Sequence, residues 1–305
     1  MKALLFPGQG AQDPAMCAGV VGHPRFAERY GVICDSTRTD VLRRIQEGDA
    51  GILDQNRFSS LMTVLVSAIL LDMLRERDAA TPEYFAGYSV GQWSAMYAAG
   101  MLTYEQTIEA LVERARLMDE CVDRRPGAMC AVIGLREAVL EQVLADLRSR
   151  GHLVFIANYN CVGQYSISGA VPAIELAEEE LRAHRPKKIV RLPVSGAWHC
   201  PMLEDAQVRF AEVLAGVRFG PRAAPVLDNV TGDWLPDEPE ALRDGLARHI
   251  SHPVQWERGI KKLAALGCRR FVEVGYGNSL TKFGFFIDRQ AEFSAFHGEG
   301  VACAG

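Results

Sequence analysis

The chain opens on a short apolar run, KALLF at residues 2–6, which stops at the turn-forming PGQG of residues 7–10 and so predicts a buried first strand. Residues 60–77, SLMTVLVSAILLDMLRER, are apolar on nearly every side and too long for a strand; they predict a buried helix. YFAGYS at 84–89 reads as the next strand and its turn. GQWSAMYAAGM at 91–101 follows as a helix of small residues that lets neighbours approach closely. YEQTIEALVERARLMDECV at 104–122 repeats its apolar positions at helical spacing, which predicts an amphipathic helix.

The texture changes near Gly127. AMCAVIGL reads as a strand, REAVLEQVLADLRSRG as a helix ended by Gly151, HLVFIANYN and QYSISGA as two strands, VPAIELAEEELRAHR as a helix and KKIVRLPVS as a last strand. That order, β-α-β-β-α-β, is the split βαβ arrangement of ferredoxin-like units. It predicts a small subdomain at residues 126–190 inserted into a larger body made of residues 1–125 and 191–290. Residues 291–305 are small and polar and are expected to form a loosely held tail.

Composition narrows the classes. A chain of 305 residues, 49% hydrophobic and 23% charged, can bury a sizeable core. Its net charge of -5, without a long block of one sign, gives no reason to expect nucleic acid or a lipid surface as partner. The apolar start breaks at Pro7 and Gly8, too soon for a signal peptide, and no apolar stretch is expected to reach the length of a membrane span. Eight cysteines lie scattered, with no C-x-x-C and no His/Cys cluster at ligand spacing, so reduced thiols in a cytoplasm, and no metal, are expected.

Candidate chemistry begins at GYSVG, residues 87–91, where Ser89 stands in a G-x-S-x-G pattern between a strand and a helix. A serine on so tight a turn needs glycines beside it, because side chains there would meet neighbouring backbone, and the helix that follows aims its free N–H groups at the serine oxygen. The pattern by itself is common, so nucleophile and ordinary loop serine both stay open. Of the seven histidines, His184 and His152 sit in charged surroundings that suit a solvated face. His199 follows LPVSGAW at a strand-to-loop exit, where a base and a structural histidine are equally good readings. The PGQG turn could supply N–H groups to an oxyanion or be a plain turn. Arg114 and Arg116 interrupt an apolar helix; Arg116 fits a solvated face, whereas an inward Arg114 would need a carboxylate, which a substrate could bring.

Taken together, these segments resemble the malonyl-CoA:acyl carrier protein transacylase family, including the free-standing acyltransferases of polyketide assembly. FPGQGAQ is similar to the family's FPGQGSQ, and GYSVGQWSAMYAAGML to GHSLGEYSALVAAGVL. GAMCAVIGL, ANYNCVGQYSISG, LPVSGAWHCPMLEDA, DNVTG, HPVQW and VEVGYGNSLTKF also find counterparts, in order, along nearly the whole chain. The resemblance implies an α/β fold, with an α/β-hydrolase-like body around a parallel sheet and a ferredoxin-like insert. It implies Ser89 as nucleophile, His199 as its base, and the backbone carbonyl at His249 as the group that orients the histidine. It also implies the N–H groups of Gln9 and Val90 as oxyanion hole and Arg114, 25 residues after the serine, as the grip on the malonyl carboxylate. The substrates implied are an acyl-CoA and the phosphopantetheine arm of an acyl carrier protein, with no metal or redox cofactor.

Four positions depart from the family pattern. Tyr88 replaces a pocket histidine, Ser60 stands where a glutamine braces the arginine, Gln92 replaces a glutamate, and Trp198 precedes the base where serine or phenylalanine is common. Trp198 and Val90 are nearer the malonyl type, and Trp198 is expected to bind the substrate by restricting space at the acyl α-carbon. Tyr88, also expected to bind substrate, and Ser60 reshape the same pocket and leave room for a different acyl group. Asn160 falls in a pocket-lining segment. A thioesterase of the same fold and a non-catalytic docking subunit are the rival readings.

Overall fold

The five residues Lys2–Phe6 form β1, an inner strand of a four-stranded sheet in a computed structural model that describes residues 1–78 and 80–298. After it come α1 (Phe26–Thr37), α2 (Val41–Gln46), α3 (Asn56–Arg77), β2 (Tyr84–Gly87), α4 (Gly91–Ala98) and α5 (Tyr104–Arg124). Then come β3 (Gly127–Ile133), α6 (Glu137–Ser149), β4 (Val154–Cys161), β5 (Gln164–Ala170), α7 (Val171–Arg182) and β6 (Lys188–Arg191). The chain returns through α8 (Glu204–Ala215), α9 (Pro239–Arg248), α10 (Trp256–Ala265), β7 (Arg270–Val274), α11 (Ser279–Ile287) and β8 (Glu292–Phe296).

The body is built on a parallel sheet in the order β2-β1-β7-β8. Both faces are covered, which is why β1 reads as an unbroken apolar run rather than an alternation. Leu4 and Phe6 face one core, shared with α3, α4 and α5; Ala3 and Leu5 face the other, shared with Trp256, Ile260 and Phe271. The insert is an antiparallel sheet in the order β4-β5-β3-β6, with α6 and α7 packed through a core of their own. Backbone hydrogen bonds join the two sheets' territories: Tyr159 donates to the Val254 carbonyl at 2.9 Å, and Val254 donates to Ala157 at 2.8 Å.

Two expectations are corrected. Residues 292–296 are not a loose tail but the edge strand β8, in register with β7 from Arg270 to Val274. The short EFSAF segment is held there by Phe293, whose ring stacks on Phe271 at 4.5 Å, while Gly284 lets α11 lie against that ring. The rest of that tail, from residue 299 on, lies outside the described residues. Second, α3 is long and apolar enough by composition to cross a bilayer; here it is the central helix of the body, buried over most of its length.

The expected amphipathic helix is α5, opened by a capping box in which Thr103 and Gln106 bond each other's backbone. Its buried stripe includes Thr107, Leu111, Arg114, Met118 and Cys121, so the helical period itself turns Arg114 inward. Arg116 faces out and pairs with Glu113 and Glu120.

Candidate active site

Ser89 sits on the turn between β2 and α4 with φ +53°, in the left-handed region that costs a non-glycine residue about 1–3 kcal/mol. The steric argument for the flanking glycines holds atom by atom. A Cβ on Gly87 would stand 2.0 Å from the Gly91 carbonyl oxygen, and one on Gly91 would stand 2.2 Å from that of Phe6.

His199, far along the chain, is brought to this turn: Ser89 Oγ and His199 Nε2 are 2.7 Å apart. His199 Nδ1 lies 2.9 Å from the His249 carbonyl oxygen. A carbonyl can only accept, so Nδ1 carries the proton and Nε2 is left free to accept the serine's. Burial first, and then the charge of Arg114, push His199 down to about 3, which keeps it neutral. The His249 ring stacks on it at 5.1 Å and is buried, with neither ring nitrogen partnered; burial, His199 and Arg114 hold it well below the usual imidazole range.

Arg114 is 1% exposed, and its Nε and Nη2 have no hydrogen-bond partner. Burial lowers it to about 10, so it stays charged at neutral pH. Among the described residues the carboxylate whose charge favours its cationic form is Asp119, itself raised to about 6 by burial and tied to Asn56 Nδ2 at 3.0 Å. Ser60 does not brace the arginine: its hydroxyl donates to Asn56 Oδ1 at 3.4 Å.

Gln9 hangs on the start of α3 through its side chain, which donates to Asn56 Oδ1 at 3.1 Å and to Ser59 Oγ. That fixes the 7–10 turn beside the serine. Among the described residues the backbone N–H groups of Gln9 and Val90 have no partner, whereas that of Ser89 is taken by Asn229.

Tyr88 lies in the cleft between body and insert. Its hydroxyl donates to Asn160 Oδ1 at 2.6 Å, and Asn160 Nδ2 donates to Ser166 Oγ at 3.3 Å. Gly8, Gln9, Tyr88, Asn160, Ser166 and Phe283 are among the residues lining a cavity of about 190 Å³ there. Trp198 is buried in the body, its indole curled over Gly196, where an added Cβ would come within 2.7 Å of the ring. No group of three potential metal ligands occurs among the described residues, and the seven described cysteines are free thiols.

Two residues of the site escaped the sequence reading in this role. Asn229 was seen only as part of DNVTG and Gln92 only as a change of charge. In the fold Asn229 braces the serine turn from both sides, and Gln92 Oε1 accepts the Asn229 N–H at 2.7 Å. No local signal marks such a contact between segments so far apart in the chain.

A family model described as acyl transferase domain matches residues 3–283. The malonyl CoA-acyl carrier protein transacylase of Bacillus subtilis is 33% identical over 280 residues, 92% of this chain and 88% of that protein. Polyketide biosynthesis protein ThaF of Burkholderia thailandensis is 36% identical over 281 residues, 92% of this chain and 24% of ThaF. Among solved structures, the malonyl-CoA:acyl carrier protein transacylase of Xanthomonas oryzae pv. oryzae superposes with a TM-score of 0.92 at 28% identity, covering 98% of this chain and 95% of that one. A malonyl-transacylase in complex with its type II PKS acyl-carrier protein gives 0.90 at 29% identity, covering 96% and 94%. With that family model spanning nearly the whole chain and a relative 33% identical over 92% of it, the chain belongs to the acyl transferase domain family.

Proposed function

We propose that this chain moves a malonyl group from CoA to the phosphopantetheine thiol of an acyl carrier protein by way of a seryl ester. The observation that carries the choice of acyl group is Arg114: a buried guanidinium with two unpartnered nitrogens, acting on the catalytic histidine. A buried cation in that condition is costly until an anion joins it, so an acyl group bearing a carboxylate gains what an acetyl group cannot.

In the first half-reaction Ser89 Oγ attacks the thioester carbonyl while its proton passes to His199 Nε2, and the N–H groups of Gln9 and Val90 receive the developing oxyanion. The C–S bond breaks, His199 returns the proton to the CoA sulfur, and the malonyl ester stays on Ser89. In the second half the carrier's thiol gives its proton to His199 and attacks the ester; Ser89 leaves and recovers that proton. The cavity along Gln9, Tyr88, Asn160 and Phe283 adjoins the Gln9 turn, and we assign it as the approach for each arm. This chemistry requires neither metal nor redox cofactor. The scattered cysteines and the net charge of -5 are compatible with a cytoplasmic protein. One relative is named for polyketide biosynthesis, and the malonyl-carrier formed here would serve polyketide or fatty acid assembly.

The test is to mix the protein with malonyl-CoA and a phosphopantetheinylated carrier. Malonyl-carrier should accumulate with wild type and not with Ser89→Ala. Release of free malonate in its place would assign the chain to hydrolysis, and full activity in Ser89→Ala would remove the serine from the chemistry.

A further inference from the structure

Three segments of the site meet on one residue, Asn229. Asn229 Oδ1 accepts the Ser89 N–H at 2.8 Å, and Asn229 Nδ2 donates to the Gly87 carbonyl at 2.6 Å, so a single carboxamide spans the strained turn. Its own N–H is held by Gln92 Oε1 at 2.7 Å, and its carbonyl accepts the Gln255 N–H at 2.7 Å. Gln255 ends the stretch that begins at His249, whose carbonyl orients His199, and whose Val254 is pinned to β4. Asn229 and Gln92 are 4% and 0% exposed, so water does not compete for these bonds.

We infer that Asn229 is a positioning residue for the acyl transfer proposed above, setting the register between nucleophile and base, with Gln92 as its support. The contacts need one donor and one acceptor in a common plane. Asparagine has both at this length; aspartate would set an acceptor against the Gly87 carbonyl, and an apolar residue would satisfy neither end. Because the histidine is oriented by backbone rather than by a carboxylate, its alignment depends on where residues 249–255 lie, and Asn229 fastens that stretch to the elbow. By occupying the Ser89 N–H, Asn229 also leaves Gln9 and Val90 as the N–H groups open to the oxyanion. Gln92 uses only its oxygen here, its Nε2 being unpartnered, so a glutamate could support Asn229 and a methionine could not.

The experiment compares wild type, Asn229→Ala, Gln92→Met and Gln92→Glu in three readouts. These are the single-turnover rate of acylation by malonyl-CoA, the Kd for malonyl-CoA on a Ser89→Ala background, and the rate at which a small fluorophosphonate labels Ser89. A misplaced attacking group costs on the order of 100-fold, so Asn229→Ala should lose about that much in both rates with Kd held within about twofold. Gln92→Met should lose about tenfold, a smaller displacement of the same turn, and Gln92→Glu should regain most of it. Wild-type rates in a folded Asn229→Ala protein, or a Kd that weakens in step with the rates, would overturn the inference. So would Gln92→Glu falling as low as Gln92→Met, and that pair decides the matter if Asn229→Ala does not fold. The fluorophosphonate keeps the two questions apart: failure of malonyl-CoA to acylate wild type would sink the substrate reading, while labelling would still report on Asn229.

Discussion

His199 Nδ1 lies 2.9 Å from the carbonyl oxygen of His249, so a peptide group holds the place that a carboxylate occupies in a Ser-His-Asp triad. A carbonyl fixes the tautomer as a carboxylate does, but brings no full negative charge to stabilise the imidazolium. The histidine is accordingly a weak base when the site is empty, depressed by burial and by Arg114. An arriving carboxylate that neutralises Arg114 removes part of that depression, so the substrate helps to make the base that activates its own attack.

Because the peptide group and not the imidazole of His249 does the orienting, replacing that side chain should matter little. His249→Gln keeps the carbonyl and a side chain of similar reach while giving up the ring stacked at 5.1 Å. The expected loss in kcat/KM for acylation is less than about tenfold, the scale of one modest packing contact rather than of a lost catalytic group. A loss as large as that of His199→Ala would mean that the ring itself takes part.

The pH profile follows from the sign of the His199 shift. The neutral form is the active one, and a pKa pushed down to about 3 keeps it neutral well into acid. For the free enzyme, kcat/KM for acylation should stay level from about pH 8 to about pH 5, where a histidine with the ordinary value near 6.5 would cost about 30-fold. Asp119, raised to about 6, titrates inside this window beside Arg114, so the same profile in Asp119→Asn separates the two groups. A fall with a midpoint near 6.5 in both proteins would contradict the account.

The elbow glycines make a prediction about folding. A Cβ on Gly87 would sit 2.0 Å from the Gly91 oxygen and 2.3 Å from the Gln92 nitrogen, contacts with backbone that no side-chain rotation relieves. Gly87→Ala should therefore lose more than about 3 kcal/mol in denaturant unfolding, or fail to fold. Gly31→Ala, at a helical position with open space around its Cβ, is the control expected to hold or gain stability. Equal behaviour of the two variants would refute the steric reading of the turn.

The sequence was most legible where local pattern and fold coincide. The apolar run of β1, the period of α5, and the β-α-β-β-α-β order of the insert each appear where residue pattern places them. Ser89 and His199 could be named because each sits in a recognisable segment, though only the fold brings them to 2.7 Å. Arg114 was open between surface and interior until the helical stripe fixed its direction. What stayed hidden depends on partners distant in sequence. Asn229 looks like any turn asparagine until the serine elbow is placed against it, and β8 is too short and too mixed to declare itself without β7 beside it. Trp198 stands next to the base in sequence, yet its ring lies over Gly196 in the body's core.

The most direct test of malonyl transfer is the intact mass of the protein after brief mixing, without carrier, with malonyl-, methylmalonyl- or acetyl-CoA, for wild type and Arg114→Ala. Wild type should carry a persistent malonyl adduct on Ser89. Arg114→Ala should lose malonylation by about 100-fold or more, the cost of removing a charge-assisted, bidentate partner, and should keep or gain acetylation. Steady release of CoA with no adduct, or equal malonylation of the two proteins, would contradict the account.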